Sequence, residues 1–154
     1  TYKRITKQWI EKENGDTSKL LGRVSAQPVE KDGRWFLIGN LYGQDDYGRK
    51  KMVYTDYDAL EKAMGEIRSF LEARGKNETV AFPYKIGCGS AGGDWNIVED
   101  IIKRTFEGYS GEVQIWKYEG MMIDNLFGGS PVLPQHGGCG TAGLASFLTD
   151  VNIP

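Results

Sequence analysis

The stretch "VAFPYKIGCGSAGGDWNIVEDII", residues 80–102, decides the fold that we expect. It begins with an apolar run without strict alternation, which is typical of a central strand buried on both faces. A glycine-rich loop follows at residues 87–93, and Asp94 is a good N-cap for the amphipathic helix that comes next. This order of strand, glycine loop and helix directs backbone N–H groups at one point, which an anion can approach closely. The stretch therefore predicts a phosphate site in a layered α/β domain.

The glycine pattern occurs a second time near the end of the chain. Residues 137–145 read "GGCGTAGLA", and the two loops contain the two cysteines of the protein. Two such loops facing each other would hold a diphosphate from both sides. Neither loop is followed by the Gly-Lys-Ser/Thr of a Walker motif, and neither has the full dinucleotide fingerprint, so a kinase or a dehydrogenase is disfavoured. Glycine turns that serve packing alone are the competing interpretation.

The composition is that of an ordinary globular domain. The 154 residues contain 40% hydrophobic and 26% charged residues, with a net charge of −2. This predicts a single domain over residues 1–154 and argues against nucleic-acid binding by bulk charge. No apolar run reaches the roughly 18 to 20 residues that span a bilayer, and no signal-peptide core is visible, so we expect a cytoplasmic location without membrane contact. We also expect a monomer.

The cysteine and histidine content gives no sign of a metal or cofactor. One histidine and two cysteines lack the short ligand spacings that metal sites favour. Each cysteine lies between glycines, so we expect packed thiols rather than a disulfide or a reactive nucleophile.

Strands and helices alternate along the chain up to about residue 119. Helical periodicity over residues 1–14 predicts a first helix that stops at Asn14-Gly15, and Asp32-Gly33 predicts a hairpin between strands in residues 20–30 and 34–43. Thr55 predicts the cap of a second helix that ends at Gly75. Its buried face would consist of Leu60, Met64, Ile67, Phe70 and Leu71.

The last part of the chain is predicted less regularly. The buried face of the helix after Asp94 would consist of Ile97, Ile101, Ile102 and Phe106, and a strand follows in residues 111–119. Residues 120–127 and 130–138 then predict short strands, and residues 141–150 predict a brief helix.

The stretch 80–102 resembles a specific motif of macro domains. In the branch of small bacterial, phage and terminal ADP-ribose glycohydrolase-like members, a late strand reads roughly "MPxIGCGLxGxxW" before a helix. The segments "NLYGQ" (40–44) and "TDYDALEKAMGEIRSFLEARG" (55–75) fit what precedes that strand. The resemblance covers essentially the whole chain, and it implies a three-layer α/β/α fold with a mixed sheet. It also implies ADP-ribose or an ADP-ribosylated substrate as the partner.

The order of these features differs from that of the family. "IDNLF" (123–127) and "QHGGCGTAGLASFL" (135–148) come last here, whereas similar features open a macro domain. Joining Pro154 to Thr1 would restore the family order. We therefore expect a circular permutant, natural or engineered, which a fold tolerates when its old termini are close and the new break lies on the surface.

The resemblance implies that both glycine loops contact the diphosphate. The candidate ligand-binding residues are Gly87, Cys88, Gly89, Ser90, Ala91, Gly92 and Gly93 in the first loop, and Gly138, Cys139, Gly140, Thr141, Ala142, Gly143 and Leu144 in the second. Asp124 or Asn125 stands where the family binds adenine through an Asp. Tyr42, with Tyr47 and Tyr54 as alternatives, would cover the distal ribose or the adenine.

Three functional hypotheses follow. The first is an ADP-ribose-binding domain, with or without hydrolysis of ADP-ribose derivatives. The second is an ADP-ribose-1″-phosphate phosphatase or ADP-ribosyl hydrolase that uses His136 as the acid/base, since histidine titrates near neutral pH; a loop histidine bonded to backbone is the plainer interpretation. The third is a permuted scaffold without ligand binding.

A further catalytic route found in the family looks absent from this chain. The de-ADP-ribosylating members use a Lys and an Asp, and the matching positions here are Gly43 or Gln44 and Ala91.

Overall fold

The computed structural model describes residues 2–44, 52–75, 77–117, 123–125 and 144–150. Its helices are α1 (Tyr2–Lys12), α2 (Tyr57–Ala73) and α3 (Trp95–Thr105), with a short 3-10 helix at Thr17–Leu20. Its strands are β1 (Val24–Lys31), β2 (Arg34–Tyr42), β3 (Val80–Pro83), β4 (Val113–Trp116), β5 (Ile123–Asn125) and β6 (Leu144–Asp150). The predicted α/β class is confirmed.

The described strands form one mixed sheet in the order β1-β2-β6-β3-β4-β5. β1 and β2 are the predicted antiparallel hairpin, and the φ angles of 54° at Asp32 and 74° at Gly33 suit its turn. β6 is antiparallel to both β2 and β3, which are therefore parallel to each other, and β4 is parallel to β3. The carboxyl ends of β2, β3 and β4 consequently face one edge of the sheet, which we call the carboxyl edge.

Residues 144–150 form strand β6, so the helix predicted for residues 141–150 is wrong there. β6 pairs with β2 from Tyr42↔Leu144 to Phe36↔Asp150, and it pairs with β3 through Ala81↔Leu148. The position between two strands supplies backbone hydrogen-bond partners on both sides, which overrides the helix-forming composition of "LASFLTD". β5 lies within the strand predicted for residues 120–127. The strand predicted for residues 130–138 lies outside the described residues.

Helices cover both faces of the sheet at β2, where adjacent side chains point to opposite sides. Leu41 is fully buried in the core that α2 and α3 form against the sheet. Tyr42 faces the other side, where its ring centroid lies 5.8 Å from that of Trp9 and its hydroxyl lies 2.7 Å from Thr6 Oγ1, both in α1. The described elements therefore form three layers, α/β/α.

The main core lies between the sheet and the pair α2 and α3. Phe82 and Phe106 meet there, with ring centroids 5.5 Å apart at a steep angle, and both are almost fully buried. Two residues predicted on buried helix faces lie at the margin of the core instead, because Phe70 is 47% exposed and Ile97 is 42% exposed. Periodicity locates a helix face correctly but does not say how far the opposing sheet extends.

Most helix ends are as the sequence predicts. Gly15 and Gly75 have positive φ angles of 84° and 64° two to three residues after the ends of α1 and α2, where glycine avoids the cost of a left-handed turn. Asp94 is the N-cap of α3. The N-cap of α2 is Asp56 and not the predicted Thr55, because the Asp56 carboxylate accepts the hydrogen bond from the N–H of residue 59 at 2.9 Å.

The hydroxyl of Tyr109 lies near the start of β3, and we expect it to make the stability of the folded protein decrease at alkaline pH. It donates a hydrogen bond of 2.7 Å to the carbonyl oxygen of Glu78. Burial first, and then the nearby carboxylates of Glu78 and Glu72, raise the pKa of Tyr109 from 10.0 to about 12. Because the folded-state pKa is the higher one, the contribution of the neutral phenol is complete below pH 10 and is lost between pH 10 and 12.

This expectation is tested by thermal melts between pH 8 and 12. The melting temperature should fall more steeply in this window for the native chain than for Tyr109→Phe, which lacks the ionisable group. Identical pH profiles for the two chains would contradict the assignment.

Candidate functional site

The carboxyl edge brings together four chain segments. Gly43 and Gln44 follow β2, the glycine loop (residues 87–93) follows β3, and Lys117 follows β4. β6 starts at the same edge, since its first residue, Leu144, pairs with the last residue of β2. In open α/β sheets the crevice outside the carboxyl ends of the strands is the usual place for a ligand.

The glycine loop is built from successive tight turns. The N–H of Cys88 donates to the carbonyl of Lys85 at 2.9 Å, and the N–H of Gly92 donates to the carbonyl of Gly89 at 3.0 Å. Gly87 and Gly92 have φ angles of 73° and 69°, which L side chains rarely adopt. The backbone of the loop is therefore curled on itself and needs glycine at these two positions.

Thr55 fastens this loop to the segment that precedes α2. Its Oγ1 donates to the carbonyl of Gly87 at 2.5 Å, and the N–H of Tyr54 donates to the carbonyl of Ala91 at 2.7 Å. Gly93 completes the junction, because a Cβ there would lie 2.7 Å from the carbonyl oxygen of Gly87 and 2.9 Å from Thr55 Oγ1. The sequence alone does not reveal this role of Thr55, since a threonine directly before a helix resembles a cap and its partners are more than thirty residues away.

Several backbone N–H groups of the glycine loop have no hydrogen-bond acceptor in the described part of the chain. Among the described residues, no acceptor takes the N–H groups of Gly87, Gly89, Ser90 or Ala91. Gly89 and Ser90 are exposed, and nothing lies within 4 Å of the place where a Cβ of Gly89 would stand. Successive N–H groups in a tight turn form a concave nest that binds anions.

The N-terminus of α3 is already occupied by a carboxylate. Asp94 accepts hydrogen bonds from the backbone N–H of Asn96 at 2.9 Å and from its side-chain amide at 3.1 Å, and the N–H of Asp94 donates to the hydroxyl of Tyr57 at 2.9 Å. An anion at this site would therefore be held by the N–H groups of the loop rather than by the first turn of the helix, which the sequence pattern alone does not reveal.

The thiol of Cys88 lies in the loop as a packed group. Burial first, and then the Asp94 carboxylate, raise the pKa of this thiol, while Lys85 partly opposes them. The thiol therefore stays protonated near neutral pH, and it donates a weak hydrogen bond to the carbonyl of Ile86 at 3.4 Å. The free thiol has the character of a packing residue, as the sequence indicates.

The other candidate residues lie in different places. The ring of Tyr42 is buried beneath α1, with its hydroxyl between Thr6 and Ser25, so its side chain is turned away from the α2 face of the sheet. Asp124 and Asn125 lie on the outermost strand, opposite Ile115 and Gln114 of β4. Gly138, Cys139, Gly140, Thr141, Ala142 and Gly143 of the second loop lie outside the described residues, as do His136 and Tyr47.

A cavity of about 210 Å³ occurs away from this edge. Apolar side chains of the hairpin and of α2 surround it, and among the described residues that line it Glu66 is the one charged group. Its lining residues are Val24, Ala26, Leu37, Glu66, Ile67 and Phe70. Because binding sites combine an apolar wall with several convergent polar groups, the glycine loop is the better candidate.

No group of three or more His, Cys, Asp or Glu side chains in the described residues could hold a metal ion. No helix among them is both long enough and apolar enough to cross a bilayer.

Comparison with known proteins identifies a structural relative but no function. No family model matches the chain, and no curated protein matches it. A solved structure described as a protein of unknown function from Bacteroides thetaiotaomicron is similar, with a TM-score of 0.51 and 26% sequence identity. The match covers 71% of this chain and 66% of that chain, so it spans just under two thirds of the relative. The two proteins share an α/β architecture over the matched part.

Proposed function

We propose that this chain is an ADP-ribose-binding domain that holds the diphosphate of its ligand on the glycine loop. The observation that carries the proposal is the set of N–H groups at Gly87, Gly89, Ser90 and Ala91, which have no acceptor among the described residues. A hydrogen bond between an N–H group and a charged oxygen contributes about 1.5–3 kcal/mol, so these donors would supply a substantial part of the affinity for a diphosphate.

The rigidity of the loop supports the same proposal. Thr55 and Gly93 hold the loop against the segment before α2, so its donors do not have to be ordered when the ligand arrives. A preorganised site binds more tightly because less conformational entropy is lost on association. The position at the carboxyl edge also agrees with a nucleotide-type ligand.

The choice of ADP-ribose among phosphate ligands comes from the resemblance of residues 80–102 to the macro-domain motif. Hydrolysis of an ADP-ribose derivative through His136 stays a prediction, as do a cytoplasmic location, a monomeric state and the circular permutation. The described residues support the binding part of the proposal through the N–H groups of the glycine loop that have no acceptor among them.

Calorimetric titration with ADP-ribose tests the proposal. We expect saturable heat, and at a ligand concentration of about 100 Kd a stabilisation of about 2.7 kcal/mol, which raises the melting temperature by about 5–10 °C. Ribose at the same concentration is the matched control, since it lacks the diphosphate and should leave the melt unchanged. Absence of both heat and thermal shift at millimolar ADP-ribose would overturn the proposal.

A further inference from the structure

Tyr84 lies between the end of β3 and the glycine loop, and its ring contacts both an aromatic ring and two lysine ammonium groups. Its backbone N–H donates to the carbonyl of Trp116 at the end of β4 at 2.7 Å, which fixes its position on the carboxyl edge. Its ring is 38% exposed and meets Trp95 with centroids 5.0 Å apart at a steep angle. Trp95 is itself packed against the core, so the exposed ring stands on a rigid base.

Two ammonium groups approach this one ring. The Nζ of Lys85 lies 5.4 Å from the Tyr84 ring centroid, and the Nζ of Lys117 lies 4.8 Å from it. Both distances are within the range of a cation–π contact. Because Lys85 follows β3 and Lys117 follows β4, the parallel pairing of these strands places both lysines at the carboxyl edge, where the glycine loop also follows β3. We call Tyr84, Lys85, Trp95 and Lys117 the Tyr84 patch.

The backbone of Lys85 adopts a conformation that is unfavourable for lysine. Its φ angle is 60°, a left-handed conformation that costs an ordinary L-residue energy and that glycine adopts freely. The other described non-glycine residues with positive φ are Asn14 and Asp32, whose side chains tolerate this conformation well. Glycine occupies the comparable positions 87 and 92. A lysine kept at a strained position next to a candidate site points to a contribution other than stability.

The charge of Lys85 also reaches the loop. Burial and the Asp94 carboxylate raise the pKa of the Cys88 thiol, and the ammonium of Lys85 partly opposes this rise. An ammonium group whose charge affects the Cys88 thiol would also attract an anion held by the neighbouring N–H groups.

We infer that the Tyr84 patch is a second anion subsite, so that the crevice takes a ligand with two linked anionic groups. One group binds the N–H groups of the loop, and the second binds the ammonium groups of Lys85 and Lys117. This rests on the proposed function, which it deepens by assigning the second phosphate of a diphosphate to side chains outside the glycine pattern.

The test compares pyrophosphate with inorganic phosphate on the full chain. Lys85→Gly should weaken pyrophosphate binding by about tenfold or more, because a charge-assisted contact is lost, while phosphate binding changes less than about twofold. The same variant should raise the melting temperature of the free protein by about 2–4 °C, since it removes the left-handed lysine. Lys117→Gln should weaken pyrophosphate binding in the same selective way.

Asp32→Gly is the matched control. It also removes a positive-φ side chain, in the hairpin turn between β1 and β2, and should leave pyrophosphate binding unchanged. Unaltered pyrophosphate affinity in Lys85→Gly, or an equal loss for both probes, would overturn the subsite. A native chain that binds neither probe would overturn this inference, whereas binding of pyrophosphate without ADP-ribose would overturn the proposed function alone.

Discussion

Gly93→Ala is expected to open the glycine loop and to abolish ADP-ribose binding at concentrations that saturate the native chain. The new methyl group would lie 2.7 Å from the carbonyl oxygen of Gly87 and 2.9 Å from Thr55 Oγ1, far inside van der Waals contact. One of these atoms is backbone, and the other belongs to the hydroxyl that holds the loop. Overpacking of this kind costs about 1–3 kcal/mol, so the domain still folds while the loop is displaced.

Calorimetry measures the loss of binding, and urea unfolding measures the change in stability. Gly65→Ala is the matched control, because it introduces the same methyl group in α2, outside the loop, where nothing lies within 4 Å and where φ is not positive. It should fold and bind as the native chain does. If Gly93→Ala kept native ADP-ribose affinity, the fastened loop would not be the binding element.

Phe82→Ala is expected to reduce the free energy of unfolding by about 3–5 kcal/mol, which is a large share of the about 5–15 kcal/mol that stabilises a typical domain. Phe82 has no exposed surface, and its ring packs against that of Phe106 at a centroid distance of 5.5 Å. It also lies in β3, the strand that precedes the glycine loop, so the resulting cavity should loosen the strand that positions the site.

Phe70→Ala is the control for this measurement, since it removes the same side chain from a position that is 47% exposed. We expect its cost to be below about 1 kcal/mol, in the range of ordinary surface substitutions. Urea unfolding curves of the three chains give both values. Similar losses for the two variants would show that β3 is not the centre of the core.

Local rules predicted the parts of the fold that depend on neighbouring residues. The turn at Asp32-Gly33, the stop at Gly15 and the cap at Asp94 were all predicted correctly. Each depends on φ preferences or on a side chain that reaches its own backbone within a few positions. The glycine loop between a buried strand and α3 was predicted for the same reason, because strand, loop and helix are contiguous in the chain.

The tertiary structure decided whatever depends on partners distant in the chain. "LASFLTD" is a strand because β2 and β3 offer it hydrogen bonds from opposite sides. Thr55 holds the loop instead of capping α2, because the loop carbonyls come within its reach only after folding. Lys117 joins Lys85 at Tyr84 because β3 and β4 are parallel neighbours. The sequence by itself determined the three helices, the hairpin and the glycine loop, whose causes are local. Only long-range strand pairing decided what surrounds that loop, because contacts between distant residues form only where the whole sheet places them.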